Sequence, residues 1–285
     1  MRSSGAFENR QEAIILPTTN EQFVVQSWAQ AMKLTVLGSG TSIPHPRRAS
    51  PGFWLETDNH KVLLDIGPDI PHRMAEEHLD WPDIDAIWVS HFHLDHFGGL
   101  PPFLFSLRWA PQVANRTKPL RLVGPHGLQD LLQTINDGNN YRLFNQRFSV
   151  DVTEIKPDEQ FELVPGLLAQ TIKTPHTKES LALRLTHPDG KRFVYTSDTG
   201  FTEELGVFGK QADMLLMECS FRRNKPLQTH LELTEAMGLA RECDPGKLVL
   251  THLYPEWDAF DLVAESSKLW KGEVIEAKDG LIVTI

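Results

Sequence analysis

Thiol chemistry has almost no material in this sequence: Cys219 and Cys243 are its only cysteines, and neither lies in a CxxC pair or a Cys/His cluster. A disulfide framework and a thiolate metal site are thereby excluded, and both thiols read as buried and inert. Long apolar runs are missing as well. No stretch approaches the roughly 18 residues that a membrane span requires. The first residues show no basic stretch followed by an apolar core, so no secretory signal is read. The expectation is a soluble, cytoplasmic protein without a membrane partner. Positive charge is in deficit, 28 Lys and Arg against 38 Asp and Glu, for a formal net charge of −10. That balance repels polyanions at long range and disfavours a broad nucleic-acid track, but it leaves room for a small phosphorylated substrate or a local basic patch.

What is present is globular material: 40% hydrophobic and 23% charged residues, in a chain long enough to bury a full core without staples. Residues 1–32 read as a flexible N-terminal extension, polar and without a sustained hydrophobic period, after which Lys33-Leu-Thr-Val-Leu37 opens as a strand. Met32 is either the natural start or the last residue of a mobile tail. From there short strand-like runs bounded by Gly, Pro, Asp or Asn cover Leu34–Leu37, Gly52–Glu56, Val62–Ile66 and Ala86–Val89. Helical spacing appears at Phe103–Trp109, Gly127–Ile135, Leu233–Arg241 and Ala259–Trp270. Between them lie strands at Leu120–Val123, Leu168–Ile172, Leu181–Thr186, Phe193–Thr196, Met214–Met217 and Leu248–Leu250, and Gly280–Ile285 closes the chain. No linker, low-complexity segment or fixed-period repeat interrupts the series. The pattern predicts one α/β domain over residues 33–285, with two sheets between helical layers.

The chemistry concentrates at Ser90-His-Phe-His-Leu-Asp-His-Phe-Gly-Gly99, directly after the buried-strand run Ala86–Val89. On an extended strand end His91 and His93 project to one side, because side chains alternate with period two. Asp95 and His96 follow where the chain must turn, so four ligating groups can converge from six residues, one pair for each of two ions. By composition a chance HxHxDH match is on the order of one in a thousand. Two ions need more ligands. His176 precedes the strand Leu181–Thr186, Asp198 ends Phe193–Thr196, and His252 follows Leu248–Leu250, each at the strand ends where α/β folds place active groups. Singly, His176 or His252 reads equally well as a structural histidine; with the first motif they read as ligands. Asp198 is the one suited to bridge, since a carboxylate has two oxygens to share. The imidazole-rich donor set favours two divalent cations of the zinc type, with manganese or iron as alternatives.

HxHxDH, then a His, an Asp after a strand and a strand-terminal His together resemble the metallo-β-lactamase superfamily, over Lys33 to Ile285. That resemblance implies the four-layer αβ/βα sandwich. It also gives Asp65, in Leu63-Leu-Asp-Ile-Gly67, the role of orienting the metal-binding loop without being a ligand. Within the superfamily, Pro175-His-Thr-Lys-Glu-Ser180 departs from the Gly-His-Thr-Pro-Gly pattern of thioesterases, lactonases and β-lactamases and is similar to ribonuclease Z-like proteins. Leu37-Gly-Ser-Gly-Thr-Ser42 with Pro46 and Arg48, Ser197-Asp-Thr-Gly200, and Glu218-Cys-Ser-Phe221, similar to a Glu-Ala-Thr-Phe element, point the same way.

The resemblance implies that His230 reaches the scissile phosphate and Glu218 steadies it; an exposed helix-start histidine is the plainer alternative for His230. A protonated imidazole there would stabilise phosphoryl charge and supply a proton to the leaving alkoxide, while Asp95 would orient the attacking water or take its proton. Ribonuclease Z proper carries a long arm that grips tRNA, often placed between the positions of His176 and Asp198. Here 22 residues separate them (198 − 176), too few for an arm.

The expected function is therefore a two-metal phosphodiesterase acting on an RNA 3′-end or a small or cyclic phosphodiester, as a cytoplasmic enzyme for which the family also implies a homodimer. A lactonase or thioesterase, and a non-enzymatic metal-binding protein, are the competing readings. Two further features stay open. The aromatics of Leu100-Pro-Pro-Phe-Leu-Phe105 read as core or as a groove wall, and Arg47 and Arg48 as phosphate contacts or as a solvated turn.

Overall fold

The computed structural model describes residues 32–57 and 60–285. The expected extension lies outside the described residues except for Met32. That residue is buried, and its carbonyl accepts a hydrogen bond from the Ile285 amide at 2.8 Å.

Six strands of the first half, β1 (Lys33–Gly38), β2 (Gly52–Thr57), β3 (His60–Leu64), β4 (Ala86–Trp88), β5 (Leu120–Pro125) and β6 (Val150–Ile155), form one sheet. The second sheet holds β7 (Gln160–Val164), β8 (Leu167–Lys173), β9 (Leu181–Thr186), β10 (Arg192–Tyr195), β11 (Met214–Glu218), β12 (Lys247–Thr251) and β13 (Val274–Glu276). The last strand, β14 (Ile282–Thr284), returns to pair with β1, so the first sheet runs β14-β1-β2-β3-β4-β5-β6 and the second β13-β12-β11-β10-β9-β8-β7. From β14 to β6 the pairings are three antiparallel and then three parallel. From β7 to β13 the same succession recurs. The two halves thus share one plan, a duplication in space that no sequence period betrays.

Why both sheets are apolar on both faces follows from what covers them. Side chains alternate, so Phe53, Leu55, Val62 and Leu64 of the first sheet meet Leu183, Leu185, Phe193, Tyr195 and Leu216 of the second in the central core. Their neighbours Trp54, Leu63 and Ile87 face outward onto α1 (Ile70–Glu76), α3 (Leu100–Leu107) and α4 (Leu128–Gly138). On the far side Val194, Leu215, Met217 and Leu250 pack on α5 (Glu203–Phe208), α6 (Leu233–Cys243) and α7 (Leu262–Ser267). Each such side chain contributes about 1.5–3 kcal/mol on burial. Three cores between four layers make the αβ/βα sandwich that the strand and helix pattern predicted.

The departures are at edges and in short helices. β6, β7 and β13 were not expected: they are half-buried, and their polar interleaving (VDVTEI, QFELV, VIE) hides them. The helix expected over Ala259–Trp270 begins instead at Leu262, behind a 3-10 turn at Pro255–Ala259. The one expected at Phe103 starts at Leu100, with Pro101 and Pro102 in its first turn, where a missing amide costs nothing. Phe97 and Phe103 are core, whereas Phe105 and Trp109 are exposed. Cys219 and Cys243 are buried and free, as expected.

A close approach fixes the first strand ends. A Cβ built on Gly67 would lie 2.4 Å from the Asp95 carbonyl oxygen and 2.6 Å from Ser50 Cβ, so no side chain fits between the Leu63–Gly67 segment and the HxHxDH loop. Gly67→Ala is expected to cost about 1–3 kcal/mol, seen as a melting temperature several degrees lower. An unchanged melting temperature would show that the loop yields freely.

Candidate metal centre

His91, His176, Asp198, Glu218 and His252 lie at or just beyond the ends of strands. β4 runs out at Trp88, and the chain continues through Val89 and Ser90 to His91; the Ser90 carbonyl accepts from the Leu181 amide at 3.1 Å, which ties the loop to the second sheet. His93 is extended, at φ −63° and ψ 144°, and caps the one-turn helix α2 (Leu94–Phe97) that carries Asp95 and His96. His176 follows β8, Asp198 follows β10, Glu218 ends β11, and His252 follows β12. Three backbones at these strand ends are left-handed although none is glycine: Asp65 (φ 57°), Ser197 (φ 56°) and His252 (φ 56°). Such residues cost of order 1–3 kcal/mol each unless their surroundings hold them. Here the holding bonds are Asp65 N–H to the Trp88 carbonyl at 2.8 Å and Leu253 N–H to the Ser39 carbonyl at 3.0 Å.

The inward-facing atoms fall into three overlapping groups, one of them made of Asp198, His230 and His252. His91, His93, His176 and Asp198 place one donor atom each within 4.8 Å of one another, and so do Asp95, His96 and His252. Asp198 Oδ2 belongs to both: it lies 3.6 Å from His176 Nε2 and 3.9 Å from His91 Nε2, and 3.2 Å from the Nε2 atoms of His96 and His252. His93 contributes Nδ1, 3.0 Å from His176 Nε2. Around an ion bound at about 2.0–2.2 Å, neighbouring ligand atoms stand roughly 3.0–3.5 Å apart, so these spacings are close to the edges of coordination polyhedra. The Nε2 atoms of His91, His96 and His252 are buried and make no hydrogen bond. Three buried ring nitrogens without a hydrogen bond are costly in a protein interior, and a bound cation would satisfy them. The donor set fits two cations with a shared carboxylate.

The outward-facing nitrogens are tied down. His96 Nδ1 donates to Asp65 Oδ2 at 2.7 Å, and His176 Nδ1 donates to the Thr229 carbonyl at 2.9 Å. Asp65 Oδ2 also accepts from Ser90 Oγ and Tyr195 Oη, both at 2.7 Å, and Oδ1 accepts from the Ser90 amide at 2.7 Å. Asp65 therefore holds the loop and the His96 ring without placing an oxygen in any of the groups. Sequence reasoning missed Tyr195 and Thr229. Tyr195 reads as one more apolar strand residue, and Thr229 acts only through its backbone.

Electrostatics separate the rings. Burial pushes His91 well below the usual imidazole range, and the neighbouring His96 adds to this, so His91 is neutral. Burial acts against charge on His96 too, but the carboxylates of Asp198 and Asp65 override it and hold the ring well above its ordinary value. Asp198 is the reverse case: burial would raise it, yet His252 and His96 keep it well below the carboxylate range.

His230 is not the exposed helix-start histidine that was the alternative. It is 6% exposed and precedes α6, whose start is fixed by a reciprocal Glu232–Glu235 capping box. Its ring stacks on His252 at 5.3 Å, and its Nδ1 donates to Glu218 Oε1 at 2.9 Å. Burial opposes its charge, but the bond to Glu218 and that carboxylate's field push it up to about 9. His230 thus lies beside the His252 ring with Glu218 on its outer nitrogen.

Arg48 is a buried brace that donates to Ser39 Oγ, the Ala277 carbonyl and Glu276, and Arg47 pairs with Asp258.

Chelation should lower the melting temperature by several degrees or more, because ligands that bind only the folded state stabilise it. Uptake of zinc should release protons, since His96 must lose one to ligate, and loading should therefore weaken as pH falls. Calorimetric titration in buffers of different ionisation enthalpy measures this. Identical melting with and without chelator, and no proton release, would remove the metal reading.

Residues 32–273 match the family model described as anti-Pycsar protein Apyc1. Among curated relatives, the chain is 25% identical to ribonuclease Z of Thermoplasma acidophilum, over 88% of this chain and 95% of that one. It is 26% identical to the probable metallo-hydrolase YhfI of Bacillus subtilis, over 88% and 99%. The crystal structure of YhfI superposes with a TM-score of 0.75 at 24% identity, over 89% of this chain and 99% of that chain. Human tRNase Z, short form, superposes at 0.73 and 21%, again over 89% and 99%. The solved structures establish the metallo-β-lactamase fold, the curated relatives are ribonuclease Z and metallo-hydrolase proteins, and the chain, a metallo-hydrolase of that fold, belongs to the anti-Pycsar protein Apyc1 family.

Proposed function

We propose that the chain is a two-metal phosphodiesterase whose substrate is a small or cyclic phosphodiester or an exposed RNA 3′-end. The observation that carries this is His230: a buried, charged imidazole held by Glu218 and stacked against the His252 side of the donor cluster. Cleaving a phosphodiester expels an alkoxide and builds charge on phosphoryl oxygens, and a fixed imidazolium answers both needs. Bound at His91, His93 and His176 and at Asp95, His96 and His252, with Asp198 between, two divalent cations of the zinc type would supply an activated water and neutralise phosphoryl charge.

Within that frame Asp95 orients the attacking water. Its oxygen lies 3.5 Å from His252 Nε2, and although burial acts to raise it, the neighbouring His252 and His96 rings lower it below the usual carboxylate range. His230 protonates the departing oxygen, and Glu218 holds the charge in place until then. A thioester expels a thiolate, which leaves without such an acid, and this favours the phosphodiester reading over a thioesterase.

The size of the substrate follows from the surroundings. Between His176 and Asp198 the chain makes only β9, a turn with Gly190 at φ 92°, and β10, with no protruding arm. A groove of about 510 Å³ opens beside His176, lined by Lys173, Thr177, Phe201 and Thr229 among others, and Phe201 is 44% exposed there. This is room for a nucleotide-sized ligand with an aromatic wall.

Asp95→Ala should abolish turnover of bis-p-nitrophenyl phosphate and cyclic nucleotides with the fold intact. His230→Ala should keep the metal content yet slow cleavage by 10²-fold or more; kinetics equal to the parent's would return His230 to a structural role. A panel that adds lactones and tRNA precursors tests the substrate class, and preferential lactone hydrolysis would overturn the proposal. The pH profile has a defined sign. His230 is raised, so its acid form persists below about 9 and is lost above it. Glu218→Gln should move the alkaline fall in kcat to lower pH, whereas an unmoved limb would exclude His230 as the acid.

A further inference from the structure

Ser220 is a buried hydroxyl that no part of the chemistry above uses. It stands two residues past Glu218, and its Oγ lies 2.6 Å from Glu218 Oε2, 2.9 Å from His252 Nδ1 and 3.3 Å from His230 Nδ1. We propose that Ser220 is a positioning residue that fixes the proton of His252 and couples the metal site to the carboxylate that holds His230.

The argument is a count of protons. A hydroxyl has one, and two lone pairs. Glu218 accepts at every face it shows: Oε1 takes the Thr199 amide at 2.7 Å and His230 Nδ1 at 2.9 Å, and Oε2 takes the Leu231 amide at 3.1 Å. A carboxylate cannot donate, so the short contact to Oε2 takes the serine proton. Oγ can then only accept from His252, which forces the hydrogen onto Nδ1 and leaves the lone pair on Nε2. That Nε2 is the buried, unpartnered atom 3.2 Å from Asp198 and 3.5 Å from Asp95. The outer partner of a metal-ligating imidazole sets both its tautomer and its direction.

The same device recurs in the other half of the fold. Ser90 Oγ gives its proton to Asp65 Oδ2 at 2.7 Å and lies 3.0 Å from His91 Nδ1, and His91 Nε2 is likewise buried and unpartnered. Each candidate cation site thus has one ring set through a serine that leans on a carboxylate. The two differ in what else the carboxylate holds: Asp65 takes His96 and the Tyr195 hydroxyl, whereas Glu218 takes His230. Glu218 is then shared between the acid and the second cation site, and Ser220 is the link.

This inference rests on His252 being a metal ligand, and on the proposed function only where it concerns His230. Long-range ¹H–¹⁵N spectra of the zinc-loaded wild-type chain, labelled at histidine, test it without any substitution. His252 is expected with hydrogen on Nδ1 and zinc at Nε2; hydrogen on Nε2 overturns the proposal. Zinc competition against a chelator gives the second readout. Ser220→Ala should weaken one of the two binding steps roughly 10- to 100-fold and spare the other, while Ser90→Ala should weaken the other step. Ser220→Thr, which keeps the hydroxyl, should return close to wild-type affinity. Unaltered zinc binding in Ser220→Ala, or a threonine variant that melts like wild type yet binds as weakly as alanine, overturns it. If the alanine variant does not fold, the wild-type spectrum decides alone. Wild-type protein that shows the expected tautomer and both zinc steps but cleaves no phosphodiester would refute the proposed function and leave the role of Ser220 standing.

Discussion

Imidazole is useful to a cation only through a nitrogen that carries no proton, and the fixed hydrogen bonds of the His96 and His176 rings fall on their outer nitrogens. The outer nitrogens of His96 and His176 give their hydrogens to Asp65 and to the Thr229 carbonyl, so the lone pairs are left facing one another across the cavity. Three of the inner atoms are buried without a hydrogen bond and have the Asp198 carboxylate as their shared neighbour. A site of this kind is unfavourable until it is filled. The carboxylate of Asp198, low in pKa and placed between the two groups, concentrates negative charge where cations would sit.

Rigidity comes from the sandwich beneath. The donors do not share an element; they arrive from the ends of β4, β8, β10 and β12, and their relative positions depend on two sheets packed through one continuous apolar core. Left-handed backbones at Asp65, Ser197 and His252 turn side chains inward at the cost of local strain, and the hydrogen bonds of the strands below sustain it. Gly67 lets two of these loops touch. A slip of one residue in any of the strands would turn its terminal ligand to the opposite face.

The surface charge and the local charge oppose each other in a way that bears on substrate choice. The chain as a whole is acidic and repels long polyanions, whereas the floor of the site carries a charged imidazole and a donor set for cations. A short phosphodiester feels chiefly the local field; an extended one feels both. The short hairpin between His176 and Asp198 and the groove beside His176 suit the small phosphodiester proposed as substrate.

Much of this was legible in the chain. His91, His93, Asp95 and His96 lie so close together that their chemistry could be read from spacing alone, and uniformly apolar runs such as Met214–Met217 announce strands covered on both faces. His176, Asp198 and His252 could be nominated because each follows a strand-like run. The edge strands β6, β7 and β13 escaped because half-exposed segments carry a mixed pattern that fits a loop equally well. Arg48 was indistinguishable in sequence from a phosphate contact until its partners Glu276 and Ala277, more than 200 positions away, were placed against it. The sequence by itself determined which donors exist and which class of sandwich could present them. Tertiary structure alone decided which nitrogen of each ring faces inward, that His230 is buried and charged, and that Ser90, Ser220 and Tyr195 matter. Those properties are set by hydrogen-bond partners brought from distant strands, and spacing along a chain holds no information about them.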